Sequence, residues 1–145
     1  MCIRDRRYLI KNKVQVMGHI GLLPQSIRGK FIFKGKSKTE RNKILNDAKA
    51  LSSSGVFSIV LECVEKSLAK MITNSVKVPT IGIGSSAHCD GQVLVTDDLL
   101  GLNPNNFRFV KKYTNLRKII DNSERLFKNE VIEKSFPKNK NTYQV

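Results

Sequence analysis

The chain is poor in the features that mark a membrane, secreted or metal-finger protein. None of its apolar runs approaches the ~20 residues that a membrane span needs. Its start, MCIRDRRYLIKNK, is charged and lacks both the apolar stretch and the small-residue cleavage site of a signal peptide. Cysteine is scarce. Cys2, Cys63 and Cys89 form no CxxC pair and no metal-ligand spacing, a usage that fits reduced thiols and predicts a cytoplasmic location. Acidic residues number 12 against 26 Lys and Arg, a formal net charge of +14. Such a balance invites a nucleic-acid partner. The lysines, however, are spread along the chain, and Lys, Asn and Ile are abundant together, as an AT-rich genome writes them. With no zinc-finger pattern and no aromatic-bearing RNA motif beside the charge, nucleic-acid binding is the lesser reading. Low-complexity sequence is absent. At 145 residues and 40% hydrophobic content, the chain suffices for one domain with a real core, or for part of a larger one.

What is present is an alternation of short apolar runs and helical patterns. VQVMGHIG (14–21) is a buried-strand pattern closed by glycines, and KFIFKG (30–35) alternates as a small extra strand would. Ser37 stands three before Glu40, the spacing of a capping box, and Ile44, Leu45, Ala48 and Leu51 follow at helical spacing. Gly55 is placed to end that helix in a left-handed turn. FSIVLEC (57–63) reads as the next strand, followed by a short helix with Leu68, Met71 and Ile72 on one face. VPTIGIG (78–84) is a third strand, with Pro79 near its start, and QVLVTDD (92–98) a fourth. A last helix spans 115–134, with Leu116, Ile119, Ile120, Leu126, Phe127 and Val131 as its apolar stripe, before a polar tail. Nearly continuous apolar strands alternating with helices predict an α/β fold of parallel units. Four units suit half of a (β/α)8 barrel. The alternative is a doubly wound sheet, but no GxGxxG fingerprint follows a strand.

Parallel barrels build their sites at the C-terminal ends of the strands. There the pattern places His19, Glu62, Gly84 with Ser85, and Thr96 with Asp97. Along SIVLEC, Ser58, Val60 and Glu62 share one face and Ile59, Leu61 and Cys63 the other. If the bulkier set meets the helices, Glu62 points into the barrel mouth. A carboxylate half-withdrawn from water binds a proton more readily, as a base working near neutrality requires. Each of these residues also has a plainer use. A glutamate at a strand end commonly anchors a loop through a salt bridge, and a histidine there is commonly a hydrogen-bonded core residue. The glycines of IGIGSS serve either a phosphate cradle or, more often, close packing. His88-Cys89-Asp90 resembles a metal cluster in composition, although adjacent residues rarely bind one ion. Asp97 or Asp98 suits the cap of the turn after the fourth strand.

The motifs VMGHIGLLPQS, DAKAL, IVLECV, VPTIGIG, CDGQVLV, DLLGL, FVKKY and SFP occur in this order, from about residue 8 to Tyr143. Together they resemble the ketopantoate hydroxymethyltransferase family. The resemblance implies the C-terminal half of a (β/α)8 barrel. It implies transfer of a one-carbon unit from methylenetetrahydrofolate to 3-methyl-2-oxobutanoate, giving 2-dehydropantoate in pantothenate and coenzyme A biosynthesis. It implies Mg²⁺ holding the 2-oxo acid, with the metal's ligands in an N-terminal half and none in this chain. The proton-accepting glutamate of the family's LEC motif falls on Glu62. The histidine of its MGHxGL motif falls on His19, a substrate-binding position in the pocket wall. Small-molecule 2-oxo acid and folate partners, no nucleic acid, no membrane, and a homo-oligomeric complete enzyme are further implications.

There are departures from the family pattern. Leu23 stands where Thr is usual, Glu65 where Pro follows LECV, and Ser85-Ser86 where many members have Ala-Gly. Glu65 is expected to bring a second carboxylate near the site. MCIRDR back-translates to the transposon end used in sequencing-library preparation, which marks residues 1–6 as an artefactual leader, the plainer alternative being an unstructured N-terminus. The barrel domain is then expected over 7–136 and a polar tail over 137–145. Two other readings remain from the sequence: another Mg²⁺-dependent 2-oxo-acid enzyme of the phosphoenolpyruvate/pyruvate barrel superfamily, and a basic nucleic-acid-binding module.

Overall fold

A computed structural model describes residues 3–23 and 33–143. The chain forms two compact units, Met1–Val93 and Leu94–Val145. The first unit carries a sheet of four parallel strands in the order β1-β2-β3-β4: β1 Met17–Gly21, β2 Ser58–Glu62, β3 Thr80–Ile83 and β4 Gly91–Gln92. Helix α1 (Ile3–Lys11) precedes β1, α2 (Lys38–Ser53) links β1 to β2, and α3 (Lys66–Ser75) links β2 to β3. Sequential parallel strands joined through helices are the arrangement of half a (β/α)8 barrel.

The core explains why β2 presents the faces it does. Ile59 and Leu61 are fully buried against Ile44, Ala48 and Leu51 of α2 and Leu68, Ala69 and Ile72 of α3. Each such aliphatic side chain contributes about 1.5–3 kcal/mol by leaving water. A slip of one residue would turn this whole set outward, so the apolar face fixes the register and commits Val60 and Glu62 to the opposite side. Ser37 caps α2 by accepting the Glu40 N–H at 3.1 Å. The Glu40 carboxylate reaches back past the cap and accepts from the N–H groups of Gly35 and Lys36 at 2.9 and 3.0 Å. Those bonds, with the two lysines beside it, hold its carboxyl below the usual carboxylate value. Gly55 follows the helix with φ +88°, the left-handed turn that its position predicts.

The structure departs from the sequence reading in several places. The fourth strand is confined to Gly91–Gln92; Val93 and Val95 are exposed, and Thr96 opens a short helix α4 (Thr96–Leu99) instead of closing a strand. β3 passes to β4 through the turn 84–90, not through a helix. Met71 is half exposed, its expected place in the α3 core being taken by Ala69. Of the expected strand over 30–35, residues 30–32 lie outside the described residues, and Lys34 makes a single parallel bridge to Val64.

In the second unit, α5 (Leu116–Ile132) starts from Asn115, whose side chain accepts the Lys118 N–H. None of its residues is buried; Leu116 is half-buried and the apolar side chains from Ile119 onward are exposed, with Phe127 meeting Phe136 edge to face at 5.5 Å between centroids. The described part of the tail is exposed around a 3-10 turn, Asn139–Asn141. No described helix is long and apolar enough to cross a membrane.

Candidate active site

Glu62 is the last residue of β2, and His19 lies on the neighbouring strand β1. The parallel register pairs His19 with Val60 and Gly21 with Glu62. His19, Val60 and Glu62 therefore share the face turned away from α2 and α3. There the His19 Nε2 and a Glu62 carboxylate oxygen are 3.0 Å apart, with the side chains 34% and 13% exposed. His19 thus lies directly against a carboxylate that is largely withdrawn from water.

The backbone around Glu62 is held from both neighbouring strands. Leu22 N–H donates to the Glu62 carbonyl at 2.8 Å, and Cys63 N–H donates to the Ile83 carbonyl at 2.8 Å. Cys63 itself has φ +50°, so the chain turns sharply directly after the glutamate. Burial pushes the Cys63 thiol up, and the neighbouring Glu62 charge adds to that. The approach of β1 is close enough to require glycine. Gly21 has φ +101°, and a Cβ there would lie 2.1 Å from the Glu62 carbonyl oxygen. The sequence shows Gly21 as a strand terminator; its role as the surface against which Glu62 is seated is visible only once the two strands are paired.

Glu65 does not join this site. Its carboxylate caps α3, accepting from the N–H groups of Ser67 and Leu68 at 2.9 Å each and from the Ser67 hydroxyl at 2.6 Å, and it pairs with Arg41 of α2. Those donors, Ser67 first and then Arg41, hold its carboxyl down at about 2. The glycines of IGIGSS serve packing at Gly82, where a Cβ would lie 3.0 Å from both Cys89 Sγ and the Gln92 amide. Ser85 Oγ bonds back to β2, and Ser86 Oγ accepts the His88 N–H at 3.2 Å. The His88-Cys89-Asp90 trio points three ways. His88 is exposed, Cys89 is buried in the core, and Asp90 accepts from the Thr80 N–H and hydroxyl at 2.7 and 3.0 Å, bonds that hold its carboxyl below the usual value. In the second unit the Asp97 carbonyl accepts from Leu102 and Asn103, while Asp98 is buried and accepts from the Asn103 side chain at 2.7 Å. Neither aspartate side chain caps α4, which starts from Val95. Among the described residues no three His, Cys, Asp or Glu side chains gather as a metal site. A cleft of about 320 Å³ opens beside His19, lined also by Leu23, Lys34, Lys43 and Asp47.

A family profile described as ketopantoate hydroxymethyltransferase matches residues 3–139. A Pelagibacter ubique protein named 3-methyl-2-oxobutanoate hydroxymethyltransferase is 62% identical over 135 residues, covering 93% of this chain and 52% of the relative. Proteins of the same name from Carboxydothermus hydrogenoformans and Caulobacter vibrioides are 47% and 46% identical over 138 residues, covering 93% and 94% of this chain and 50% of each relative. The chain spans about half the length of the curated relatives it matches. The order of its motifs, its parallel strands and these matches agree: the chain belongs to the ketopantoate hydroxymethyltransferase family.

Proposed function

We propose that this chain is the C-terminal half of a 3-methyl-2-oxobutanoate hydroxymethyltransferase and that it supplies the base of the reaction. The observation that carries this reading is the Glu62–His19 pair, on the face of the sheet opposite Ile59 and Leu61 and at the end of a parallel strand. The reaction needs a proton removed from C3 of the 2-oxo acid. Glu62 takes it; the C3–H electron pair then forms the bond to the one-carbon unit of methylenetetrahydrofolate. Both carbon–nitrogen bonds of the donor methylene break, the two freed nitrogens taking up the proton from C3 and one proton of water, and the rest of that water supplies the hydroxyl of the new hydroxymethyl group in 2-dehydropantoate.

His19 Nε2 lies 3.0 Å from one oxygen of Glu62, which leaves the other to receive the proton. A general base so placed contributes about 10²–10⁴-fold. Low exposure of the carboxylate serves the same end, because water competes less for its lone pairs. Mg²⁺ stabilises charge on a bound 2-oxo acid. The described residues do not form a site for it, and in this reading its ligands lie in the leading half of the barrel. The same reading makes the complete enzyme a cytoplasmic homo-oligomer acting on small molecules in pantothenate and coenzyme A biosynthesis.

The test uses this chain joined in frame behind the leading half of the Pelagibacter ubique relative, with Mg²⁺ present. C3 proton exchange of 3-methyl-2-oxobutanoate is followed in heavy water. Glu62→Gln is expected to slow exchange by about 10²-fold or more. Exchange at the unsubstituted rate would remove Glu62 from the role of base. The chain without the leading half is expected to be inactive in the same assay.

A further inference from the structure

A base that works through repeated turnovers must lose each proton it takes. The Glu62 carboxylate has few places to send one. It is 13% exposed, and adding the leading half of the barrel can only lower that figure. The Cys63 thiol beside it is no acceptor, because burial pushes its pKa up and it keeps its own proton near neutral pH. Among the described residues the ion-pair partner of Glu62 is His19, whose Nε2 lies 3.0 Å from a carboxylate oxygen. His19 stands on the neighbouring strand, and its ring reaches further into the open. It is 34% exposed and lines the cleft of about 320 Å³, whose described lining does not include Glu62. Lys34, and Glu40, Lys43 and Asp47 of α2, share that cleft with it, two groups of each charge. The imidazole therefore spans from a withdrawn carboxylate to a polar opening.

We propose that His19 is the proton relay of Glu62: the imidazole receives at Nε2 the proton that Glu62 has taken from C3, and passes a proton on into the cleft that the ring lines. The proposal rests on the reading of Glu62 as the base. Glu62 takes the C3 proton on one oxygen, and a half-turn of the neutral carboxyl group presents that O–H to Nε2. The O–H bond breaks as an N–H bond forms. Glu62 is a carboxylate again, and the ring is an imidazolium. The imidazolium then gives one proton to water in the exchange reaction, or to a freed donor nitrogen in the full reaction, and the ring is neutral again. A separation of 3.0 Å is within reach of direct transfer, with no water between. The imidazolium stands beside the carboxylate it has restored, which offsets the cost of separating the charges. Imidazole suits the task because it binds and releases protons near neutral pH. A histidine that only lined the pocket would leave the fate of the proton to water alone.

The experiment follows C3 exchange of 3-methyl-2-oxobutanoate, with Mg²⁺, in the joined protein described above. His19→Ala is expected to slow exchange with solvent about tenfold or more. The cause is internal return: a proton that cannot leave Glu62 goes back to C3. The primary isotope effect on loss of the C3 hydrogen is therefore expected to fall below that of the unsubstituted protein, because breaking the C3–H bond no longer limits the rate. A Glu62 that was merely misplaced would break that bond more slowly and keep or raise the isotope effect. Imidazole added to the solution is expected to restore exchange in His19→Ala in proportion to its concentration, and to leave Glu62→Gln slow. His19→Asn keeps a polar side chain that carries no proton near neutral pH. It is expected to show the same fall in isotope effect, and it decides the matter if His19→Ala fails to fold. An unchanged exchange rate in either folded variant, or a slowed rate with an undiminished isotope effect, overturns the proposal. If the His19 variants are unaffected while Glu62→Gln is inactive, the base reading stands and the relay falls. If Glu62→Gln exchanges normally, both fall.

Discussion

Glu65 offers a quantitative test of how the end of β2 passes into α3. Its carboxylate accepts from two backbone N–H groups and the Ser67 hydroxyl, and pairs with Arg41, which holds its carboxyl at about 2 against an ordinary 4.5. Each tenfold change in proton affinity is about 1.4 kcal/mol, so a change of that size corresponds to at most about 3.5 kcal/mol at neutral pH. The side chain is 30% exposed, and solvent screens the Arg41 charge. A net contribution of about 1–2 kcal/mol, the range of a strong N-cap, is the figure to expect. Because folding lowers this carboxyl's pKa, the stabilisation is complete above 4.5, the unfolded value, and is lost as pH falls toward about 2, the folded value. Glu65→Gln keeps the shape and one acceptor but removes the charge, so it imitates the protonated side chain. Urea unfolding of the joined protein should show Glu65→Gln less stable by about 1–2 kcal/mol at pH 7, with the gap narrowing steadily below pH 4.5. A gap that is absent at pH 7, or that is as large at pH 3 as at pH 7, would refute the argument that charge at this cap is what counts.

Other expectations concern the seating of the sheet. Gly21→Ala would place a methyl group 2.1 Å from the Glu62 carbonyl at a φ of +101°, and is expected to cost at least about 2 kcal/mol and to slow C3 exchange. Normal exchange at an unchanged melting temperature would show that β1 can yield there without disturbing Glu62. Asp90→Ala removes the acceptor for the Thr80 N–H and hydroxyl at the start of β3. It should lower the urea midpoint by an amount equivalent to about 1–3 kcal/mol while leaving exchange kinetics in the folded protein nearly unchanged, and a kinetic defect larger than the stability defect would contradict a purely structural clamp. The 145-residue chain by itself carries β1 and β4 as open sheet edges, together with the exposed apolar side chains of α5, and is expected to self-associate or to melt without a sharp transition. A monomeric light-scattering mass with a sharp two-state melt would contradict that.

The parts of this fold that a reader could take from the sequence are those set by local period. SIVLE alternates with Ile59 and Leu61 on the helix side, so the outward direction of Glu62 follows from two neighbours and a rule of two. Ser37 and Glu40 announce the start of α2 in the same way, although the Glu40 carboxylate travels further than the capping box requires, to Gly35 and Lys36. Local period also misled. Val93, Leu94 and Val95 have strong strand preference, yet the pairing with β3 ends at Gln92. Propensity states only what a backbone would accept if a partner strand were beside it. What the sequence leaves illegible is every feature that depends on two distant segments meeting. Gly21 looks like a strand terminator until the Glu62 carbonyl is placed against it. Glu65 looks like a second acid for the site until α3 and Arg41 claim it. The His19–Glu62 pair is of the same kind. Each residue can be assigned a strand end by its own neighbours, but a 3.0 Å contact requires β1 and β2 to be parallel, adjacent and in one particular register. A shift of β1 by one residue would turn His19 to the helix side and bring Gly18 or Ile20 to the face of Glu62. The His19–Glu62 contact is therefore as much a consequence of Ile20, Ile59 and Leu61 choosing the core as of the two residues that make it.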